Sequence, residues 1–442
     1  MTVITRFAPS PTGQLHVGNL RTAIHNWMWA RRHGGQFLLR LDDTDQQRSR
    51  EEYADDIRAD LAWLGMEPDG EVRQSERFDI YEARFAALRK AGRAYPCYET
   101  PQELDLRRKV LLGRGLPPVY DRAALSLTVD EVAAFEAEGR RPHWRFKLDH
   151  DAPIAWNDLI RGDQTFDAKL LSDPVIRRED GSWLYMLPSV IDDIEMGVTL
   201  VLRGEDHVSN TAAQLQMFTA LDAAPPTFAH EALLVGSEGK LSKRLGSLGI
   251  SSFREAGIEP VALVALLARI GTSDPVVPVT GADDLIEQFD FARFGRAPAR
   301  FDEQELALLN QKIVHQLDYE TVKDRLPDGM GEEAWLALRP NIETVSGIIL
   351  WWPIVTGPIE AVAVQPEDID FIDEAAKVLA GLPFDEDVWQ SLTSALKAQT
   401  GRKGKGLFLP LRRALTGRDH GPDMAALLPL IGKEEALNRL RA

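Results

Sequence analysis

Two segments of this chain carry residue types and spacings suited to nucleotide chemistry. The first, Pro9-Ser10-Pro11-Thr12-Gly13-Gln14-Leu15-His16-Val17-Gly18-Asn19, lies between a short β-type run, Val3 to Phe7, and a helical pattern that starts near Gly18. In a doubly wound fold, ligands bind at the carboxyl ends of strands, and the amino terminus of the next helix attracts phosphate. His16 would offer a donor to a phosphate oxygen, and Gly18, with no side chain, lets a flat base lie against the helix backbone. Taken alone, the stretch also reads as a Pro-rich turn with a helix-terminal histidine. The second segment, Gly236-Ser237-Glu238-Gly239-Lys240-Leu241-Ser242-Lys243-Arg244, presents three cations within five residues. Transfer at the α-phosphorus of ATP develops negative charge on the pentavalent centre and on the departing pyrophosphate, which mobile lysines stabilise. By itself the segment also reads as a solvated basic loop. It is not a Walker loop, because only two residues separate its glycines and Leu241 follows Lys240.

Both segments need elements to hold them. The prolines and Gly13 after the first run forbid ladder and helix, so a loop follows a strand. Leu20, Ile24, Trp27 and Met28 then share one helical face, and Gly34-Gly35 ends that helix. Gln36 to Leu41 reads as a second strand. Ser49 with Glu52 reads as a capping box ahead of Tyr53, Ile57, Leu61 and Leu64, and a third strand is expected only near Val198 to Leu202. Between about Tyr95 and Ser189 the alternation breaks into short β-like runs, His143 to Leu148 and Leu170 to Ile176, as in an insertion. After about residue 305 the pattern turns helical, with Trp389, Leu392 and Leu396 on one face. The expected fold is α/β: a Rossmann-type parallel sheet over 1–94 and 190–235, an α+β insertion over 95–189, a region 236–305 carrying the basic loop, and an all-helical region 306–442.

Composition bounds the rest. The 442 residues are 44% hydrophobic and 27% charged, which excludes disorder and collagen-like structure. No apolar run approaches about 18 residues, the longest being Val261 to Ala268 and the Pro-broken Ile348 to Val355, so no membrane helix is expected. The first residues lack the apolar stretch of a signal peptide, and the single cysteine, Cys97, has no internal disulfide partner; both point to the cytoplasm. The net charge of −17 is uneven. Residues 1–41 carry Arg6, Arg21, Arg31, Arg32 and Arg40, and residues 401–418 carry Arg402, Lys403, Lys405, Arg412, Arg413 and Arg418, both stretches without a carboxylate. An acidic body with two basic surfaces suits an elongated polyanion.

The two chemical segments, about 220 residues apart with an insertion between them, resemble the signature motifs of class I aminoacyl-tRNA synthetases. Thr5-Arg6-Phe7-Ala8-Pro9-Ser10-Pro11-Thr12-Gly13, Arg40-Leu41-Asp42-Asp43-Thr44-Asp45, Arg203-Gly204-Glu205-Asp206-His207 and Lys403-Gly404-Lys405-Gly406-Leu407-Phe408 look like the bacterial glutamyl-tRNA synthetases over nearly the whole chain. The resemblance implies that His16, Gly18, Asn19, Asp206 and Lys243 bind ATP, and that Lys240, Ser242 and Lys243 form a catalytic loop acting with His16. It implies amino-acid contacts from Arg6, Ala8, Ser10, Asp42, Tyr185, Ser189 and Arg203. Arg6 and Arg203, each near a strand end, suit a substrate carboxylate, and Asp42 suits its ammonium; singly, each Arg also reads as a member of a surface ion pair. The insertion would hold the tRNA acceptor end, the region 236–305 the stem and the helical region the anticodon.

The substrates implied are Mg-ATP, L-glutamate and glutamate tRNA. The reaction would be in-line attack of the α-carboxylate on the α-phosphorus, then transfer to the terminal adenosine of a tRNA whose presence activation requires. A monomer is expected. Arg402, Lys403, Lys405, Arg412 and Arg413 are the expected tRNA backbone contacts. Asn341, after Pro340, stands where some relatives carry an Arg that excludes glutamine tRNA, which leaves that tRNA open as a second acceptor. Asp42 stands where glutamyl enzymes usually carry Glu, and Ser189 where Asn is frequent; these keep a glutaminyl-type enzyme and a non-catalytic tRNA-binding paralogue as alternatives, although glutaminyl enzymes have β-barrels in place of the helical region. A small nucleotidyltransferase would need neither insertion nor basic tail. Cys97-Tyr98-Glu99 keeps one Cys of the Cys-x-Cys pair that holds zinc in some relatives, so no zinc is expected.

Overall fold

A computed structural model describes residues 2–236, 249–359 and 365–441. The chain divides into two compact units: Met1–Arg254 with Val264–Val277 and Gly281–Asp302, and Glu255–Leu263 with Pro278–Thr280 and Glu303–Ala442.

In the first unit, β1 (Ile4–Phe7), α1 (Val17–Arg32) and β2 (Gln36–Leu41) follow the expected strand, loop, helix, strand order. The turn between α1 and β2 explains its two glycines. Gly34 has φ +58°, a left-handed conformation in which glycine meets no steric cost, and a Cβ on Gly35 would lie 2.2 Å from the Val3 carbonyl oxygen. That oxygen accepts from the Gln36 N–H at 2.8 Å, so the turn sets the register of the parallel β1–β2 pair. α2 (Glu51–Trp63) starts one residue later than its expected cap. Arg50 is the N-cap without a side-chain cap, and the Ser49 hydroxyl is buried with no hydrogen-bond partner among the described residues. The capping box is not formed because the Ser49 and Arg50 N–H groups are tied to the carbonyls of Asp45 and Pro11.

The third strand follows immediately: β3 (Gly70–Arg73) pairs in parallel with β2. Its four residues, Gly-Glu-Val-Arg, are too short and polar to carry a periodic signal. α3 (Phe78–Lys90) leads to β4 (Ala94–Cys97), α4 (Pro101–Gly113), α5 (Val129–Ala137) and β5 (His143–Phe146). Neither α4 nor α5 buries a side chain, and each is held by a complete capping box, Thr100 with Glu103 and Thr128 with Glu131. Next come β6 (Ile154–Asp158), β7 (Gly162–Phe166), β8 (Val175–Arg177), α6 (Met186–Glu195), β9 (Leu200–Gly204), α7 (Val208–Ala220), β10 (Thr227–Glu231), β11 (Leu234–Gly236) and β12 (Ala299–Phe301). The Leu170 to Ile176 run is not one strand: a 3-10 turn, Ala168–Leu170, precedes β8.

The sheets run β3-β2-β1 and β9-β10-β6-β7, all parallel except β7. Of the remaining strands described, β4, β5 and β8 form an antiparallel sheet and β11 and β12 a parallel pair, while residues 154–166, grouped with the insertion by sequence, extend the β9–β10 sheet. The Thr199 N–H donates to the Ile4 carbonyl, and its hydroxyl accepts from the Ile4 N–H, joining β1 to the start of β9. Beyond that junction the two strands are not paired. Asn26 of α1 fills the gap: its buried amide donates to the Leu202 carbonyl at 3.1 Å, which leaves β9 free of β1 at its carboxyl end. β1 leads to β2 on one side and β9 pairs with β10 on the other, so this opening is a topological switch point.

In the second unit the helices Ile369–Gly381, Val388–Thr400, Lys405–Thr416, Met424–Ile431 and Lys433–Arg441 bury Leu379, Leu392, Leu396, Leu411, Leu415, Leu428 and Leu440. Val388 occupies the buried position of the Leu392–Leu396 face, with Trp389 only half-buried. Arg439 is buried and donates to the Ile354, Leu415 and Gly357 carbonyls, tying three segments with one guanidinium.

Gly35→Ala is expected to destabilise the first unit by about 1–3 kcal/mol, since the Cβ meets backbone and not a movable side chain. Urea unfolding followed by far-UV circular dichroism measures this; an unchanged midpoint would mean that the α1–β2 turn relaxes freely.

Candidate active site

The switch point opens into a cleft of about 590 Å³. β1 and its loop supply Arg6, Phe7, Ala8 and Pro9; α1 and its cap supply His16, Gly18, Asn19, Arg21 and Thr22; β2 and its end supply Arg40 and Asp42. Tyr185 and Ser189 come from α6, Arg203, Gly204, Asp206 and His207 from the end of β9, and Glu231 to Val235 from the end of β10 onward. Of the residues singled out by sequence, Arg6, Ala8, His16, Gly18, Asn19, Asp42, Tyr185, Ser189, Arg203 and Asp206 therefore meet in one place. Ser10 does not: it is exposed and outside the lining, its carbonyl turned into a tight turn with the Thr12 N–H. Lys240, Ser242 and Lys243 lie outside the described residues.

His16 is the N-cap of α1, and its Nδ1 accepts from the Gly18 N–H at 3.1 Å. That acceptor role puts the proton on Nε2, so the ring caps the helix with one nitrogen and keeps a donor on the other. Burial lowers its pKa below 6.5, which keeps the imidazole neutral near pH 7. Gly18 suits this pose, because a Cβ there would approach the His16 ring to 3.0 Å and the ring would have to shift.

The cleft floor is a set of buried charges. The Arg40 fork grips Asp42, Nε to Oδ1 at 2.6 Å and Nη2 to Oδ2 at 3.1 Å, and its Nη1 donates to Asp193 at 2.9 Å. Asp193 also accepts from the Arg6 Nε at 3.0 Å. Ser189 gives both its carbonyl and its hydroxyl to Arg40. Burial opposes the charge on Arg40, but Asp42 and Asp193 outweigh it and raise its pKa. Of the Asp42-Asp43-Thr44-Asp45 run only Asp42 faces the cleft; Asp43 is buried against Ser75 and Arg73, and Asp45 pairs with Arg48 at the surface.

Arg203 differs from its neighbours. It is 9% exposed, yet no carboxylate among the described residues lies within ion-pair distance. Its Nη2 donates to the Thr211 hydroxyl at 2.6 Å and to Gln214 at 2.7 Å, its Nε donates to His230, and Nη1 has no protein partner among the described residues. Burial first, then the Arg6 cation, bring its pKa down to about 10. It is still charged at pH 7, a buried cation with no carboxylate paired to it among the described residues.

On the other side of the cleft, Glu231 accepts from the Thr22 hydroxyl at 2.6 Å, pairs with His25 at 2.6 Å, and lies 3.8 Å from the Arg21 Nε. Sequence reading gave no role to Glu231, Thr22, Arg40 or His207. Arg40 and His207 stood inside recognised motifs, and the i, i+2 relation of Arg40 to Asp42 along β2 was an available clue. Glu231 and Thr22 carried none.

In the small antiparallel sheet the ligand atoms of Cys97, Glu99 and His143 lie within 4.8 Å of one another, a grouping that the Cys-x-Cys comparison did not bring together. Burial pushes the Cys97 thiol up to about 12 and the His143 imidazole down to about 4, and the Tyr120 hydroxyl donates to Glu99 at 2.7 Å. In the second unit Arg402 pairs with Asp368, Arg413 forks onto Asp419, and Arg412 donates to the Pro422 carbonyl. Lys403 and Lys405 are exposed, without an ion-pair partner among the described residues, and Asn341 is exposed at the end of a 3-10 turn, Arg339–Asn341.

A parallel sheet with its cleft at the switch point, a histidine-capped first helix and a helical second unit define a class I aminoacyl-tRNA synthetase. Residues 2–308 match the family of class I tRNA synthetases (E and Q), catalytic domain, and residues 337–442 match an anticodon binding domain. The chain belongs to this synthetase family. It is 67% identical over 440 residues to Glutamate--tRNA ligase 1 of Rhizorhabdus wittichii, covering 100% of this chain and 99% of that one. It is 65% identical over 445 residues to Glutamate--tRNA ligase 2 of Erythrobacter litoralis, covering 99% and 98%. Its structure is similar to that of a glutamate tRNA ligase from Elizabethkingia meningosepticum in complex with its amino acid, with a TM-score of 0.85, 29% identity, and coverage of 100% and 99%. No helix among the described residues is long and apolar enough to cross a membrane.

Because burial depresses the His16 pKa, its neutral form persists as pH falls to 6.5. The kcat/KM for ATP is expected to be level from about pH 8 to 6.5 and to drop only below; an inflection at or above 6.5 that disappears in His16→Asn contradicts this. Gly18→Ala, which pushes the ring aside, is expected to lower kcat/KM for ATP by roughly 100-fold.

Proposed function

We propose that the protein ligates L-glutamate to the 3′-terminal adenosine of tRNA, using Mg-ATP as co-substrate. The observation that carries this reading is the buried, anion-less Arg203 guanidinium in the wall of the cleft. A substrate side-chain carboxylate supplies the missing charge, with Nη1 as the open donor, whereas a neutral amide would leave the cation uncompensated. The Arg40-held Asp42 carboxylate lines the same cleft and would take the substrate ammonium. A carboxylate oxygen of the bound glutamate attacks the α-phosphorus, the bond to pyrophosphate breaks, and pyrophosphate departs. The terminal adenosine hydroxyl then attacks the carbonyl carbon of the adenylate and AMP leaves. The His16 Nε2–H is placed to donate to phosphate oxygens at the α1 amino terminus.

Lys240, Ser242 and Lys243 complete this reading as the loop that stabilises departing pyrophosphate. In its support, Val235 lines the cleft and Gly249 forms a bridge with His16, so the chain leaves and re-enters the described structure at the site. For tRNA, the ion-paired state of Arg402 and Arg413 favours Lys403 and Lys405 as the phosphate contacts. Asn341, short and uncharged, is the candidate for admitting glutamine tRNA.

Labelled glutamate is expected to enter purified glutamate tRNA in the presence of Mg-ATP and the protein; incorporation into neither glutamate nor glutamine tRNA sinks the proposal. Exchange of pyrophosphate into ATP is expected only when tRNA is present. Replacing Lys403 and Lys405 together by Gln is expected to reduce the magnitude of the log K against log salt slope for tRNA by about 1.4–1.8, with Arg413→Gln changing it less. If glutamine tRNA is charged, Asn341→Arg is expected to reduce that charging by about tenfold relative to glutamate tRNA; an unchanged ratio removes Asn341 from tRNA selection.

A further inference from the structure

Arg203 does not stand alone. His230 is its Cα partner across the parallel β9–β10 pair, which puts both side chains on the same face of the sheet. His230 is fully buried between Arg203 and Asp158, the last residue of β6, which is 1% exposed. The Asp158 carboxylate is fixed at both ends. Oδ1 accepts three backbone N–H groups, from Ile160 at 3.1 Å, Arg161 at 2.9 Å and His230 at 3.1 Å, while Oδ2 lies 2.5 Å from the His230 Nδ1. Burial raises the Asp158 pKa, but the His230 hydrogen bond and the backbone donors more than offset it and leave it lowered. Burial lowers the His230 pKa against the pull of Asp158. An ionised Asp158 beside a neutral imidazole puts the ring proton on Nδ1 and makes Nε2 an acceptor.

That acceptor faces the guanidinium. The Nε2 of His230 lies 3.3 Å from the Arg203 Nε and 2.9 Å from the Thr211 hydroxyl, the same hydroxyl that accepts from the Arg203 Nη2. With Gln214 on Nη2, these partners fix two of the three guanidinium nitrogens and leave Nη1 for a ligand. None of them is a carboxylate, so Arg203 is oriented without being neutralised. We infer that Asp158 and His230 are positioning residues that set the imidazole tautomer and thereby aim Arg203 at the substrate's acidic side chain.

The inference rests on the proposed role of Arg203, and the variants separate the two. In Asp158→Asn the backbone N–H groups claim the amide oxygen, so the amide nitrogen turns to the His230 Nδ1. The ring then takes the other tautomer and opposes the Arg203 N–H with a second donor. Glutamate KM is expected to rise at least about tenfold, with kcat within threefold and the KM values for ATP and tRNA within about twofold, a split that a general loss of structure does not produce. His230→Gln, whose side-chain oxygen reaches the place of Nε2, is expected to restore most of the glutamate KM. His230→Asn, which reaches only the place of Nδ1, is not; this pair reports the acceptor even if the Asp158 variant folds poorly. Arg203→Lys is the reference. A raised glutamate KM in Arg203→Lys with unchanged Asp158→Asn, or with equal His230→Gln and His230→Asn, overturns the inference alone. An unchanged KM in Arg203→Lys overturns the reading of Arg203 and the inference with it.

Discussion

Everything around the cleft depends on an incomplete balance of buried charge. Arg6 and Arg40 share Asp193, and Arg40 holds Asp42 in a two-bonded fork. Asp192, the residue before Asp193, is taken by Gln74, Arg77 and Tyr81. Desolvated charges of this kind are tolerated only when each is met by an opposite charge or by enough hydrogen bonds. Arg203 has hydrogen bonds but no carboxylate partner among the described residues. Within one cavity, arginines compensated by Asp193 and Asp42 thus stand together with one that has no carboxylate partner among the described residues.

That network exists because the sheet opens where it does. Thr199 ties β9 to β1 at one end, and Asn26 takes the carbonyl of Leu202 that a continuous ladder would have used. The strands part toward their carboxyl ends, and α6 brings Ser189, Asp192 and Asp193 beneath the opening. Both faces of the parallel sheet are covered, so successive residues of one strand serve different sides. At the end of β10, His230 points to Arg203, and Glu231 points to Thr22 and His25 on α1. The two sides of the cleft are thus fixed by neighbouring residues of one strand.

The second unit follows a different logic. Its helices are held by leucines at helical spacing and by Arg439, whose two terminal nitrogens donate to backbone carbonyls while its Nε pairs with Glu435. Clustered basic sequence does not translate directly into free charge there. Arg402 and Arg413 are engaged by aspartates, so the cations still available to an external polyanion are fewer than the run from 401 to 418 suggests.

The local features were legible in the sequence because their causes are local. The β1–α1–β2 opening, the glycine-terminated helix, the histidine at the α1 cap and the helical carboxy-terminal region all follow from spacing, capping and turn chemistry within a few residues. Motif resemblance named ten of the residues that line the cleft, among them Arg6, His16, Asp42 and Arg203, which stand next to strand or helix ends in the chain itself. The tertiary structure decided which of them are compensated. Arg6 meets Asp193 across 187 residues and Arg40 meets it across 153, while Arg203 pairs with no carboxylate among the described residues. It also moved residues 154–166 into the β9–β10 sheet, placed the short strand Gly70–Arg73 after α2, and replaced the expected Ser49 cap with backbone bonds to Asp45 and Pro11. Each depends on a partner distant in the chain or on competition among several donors, and hydrophobic periodicity carries no record of either.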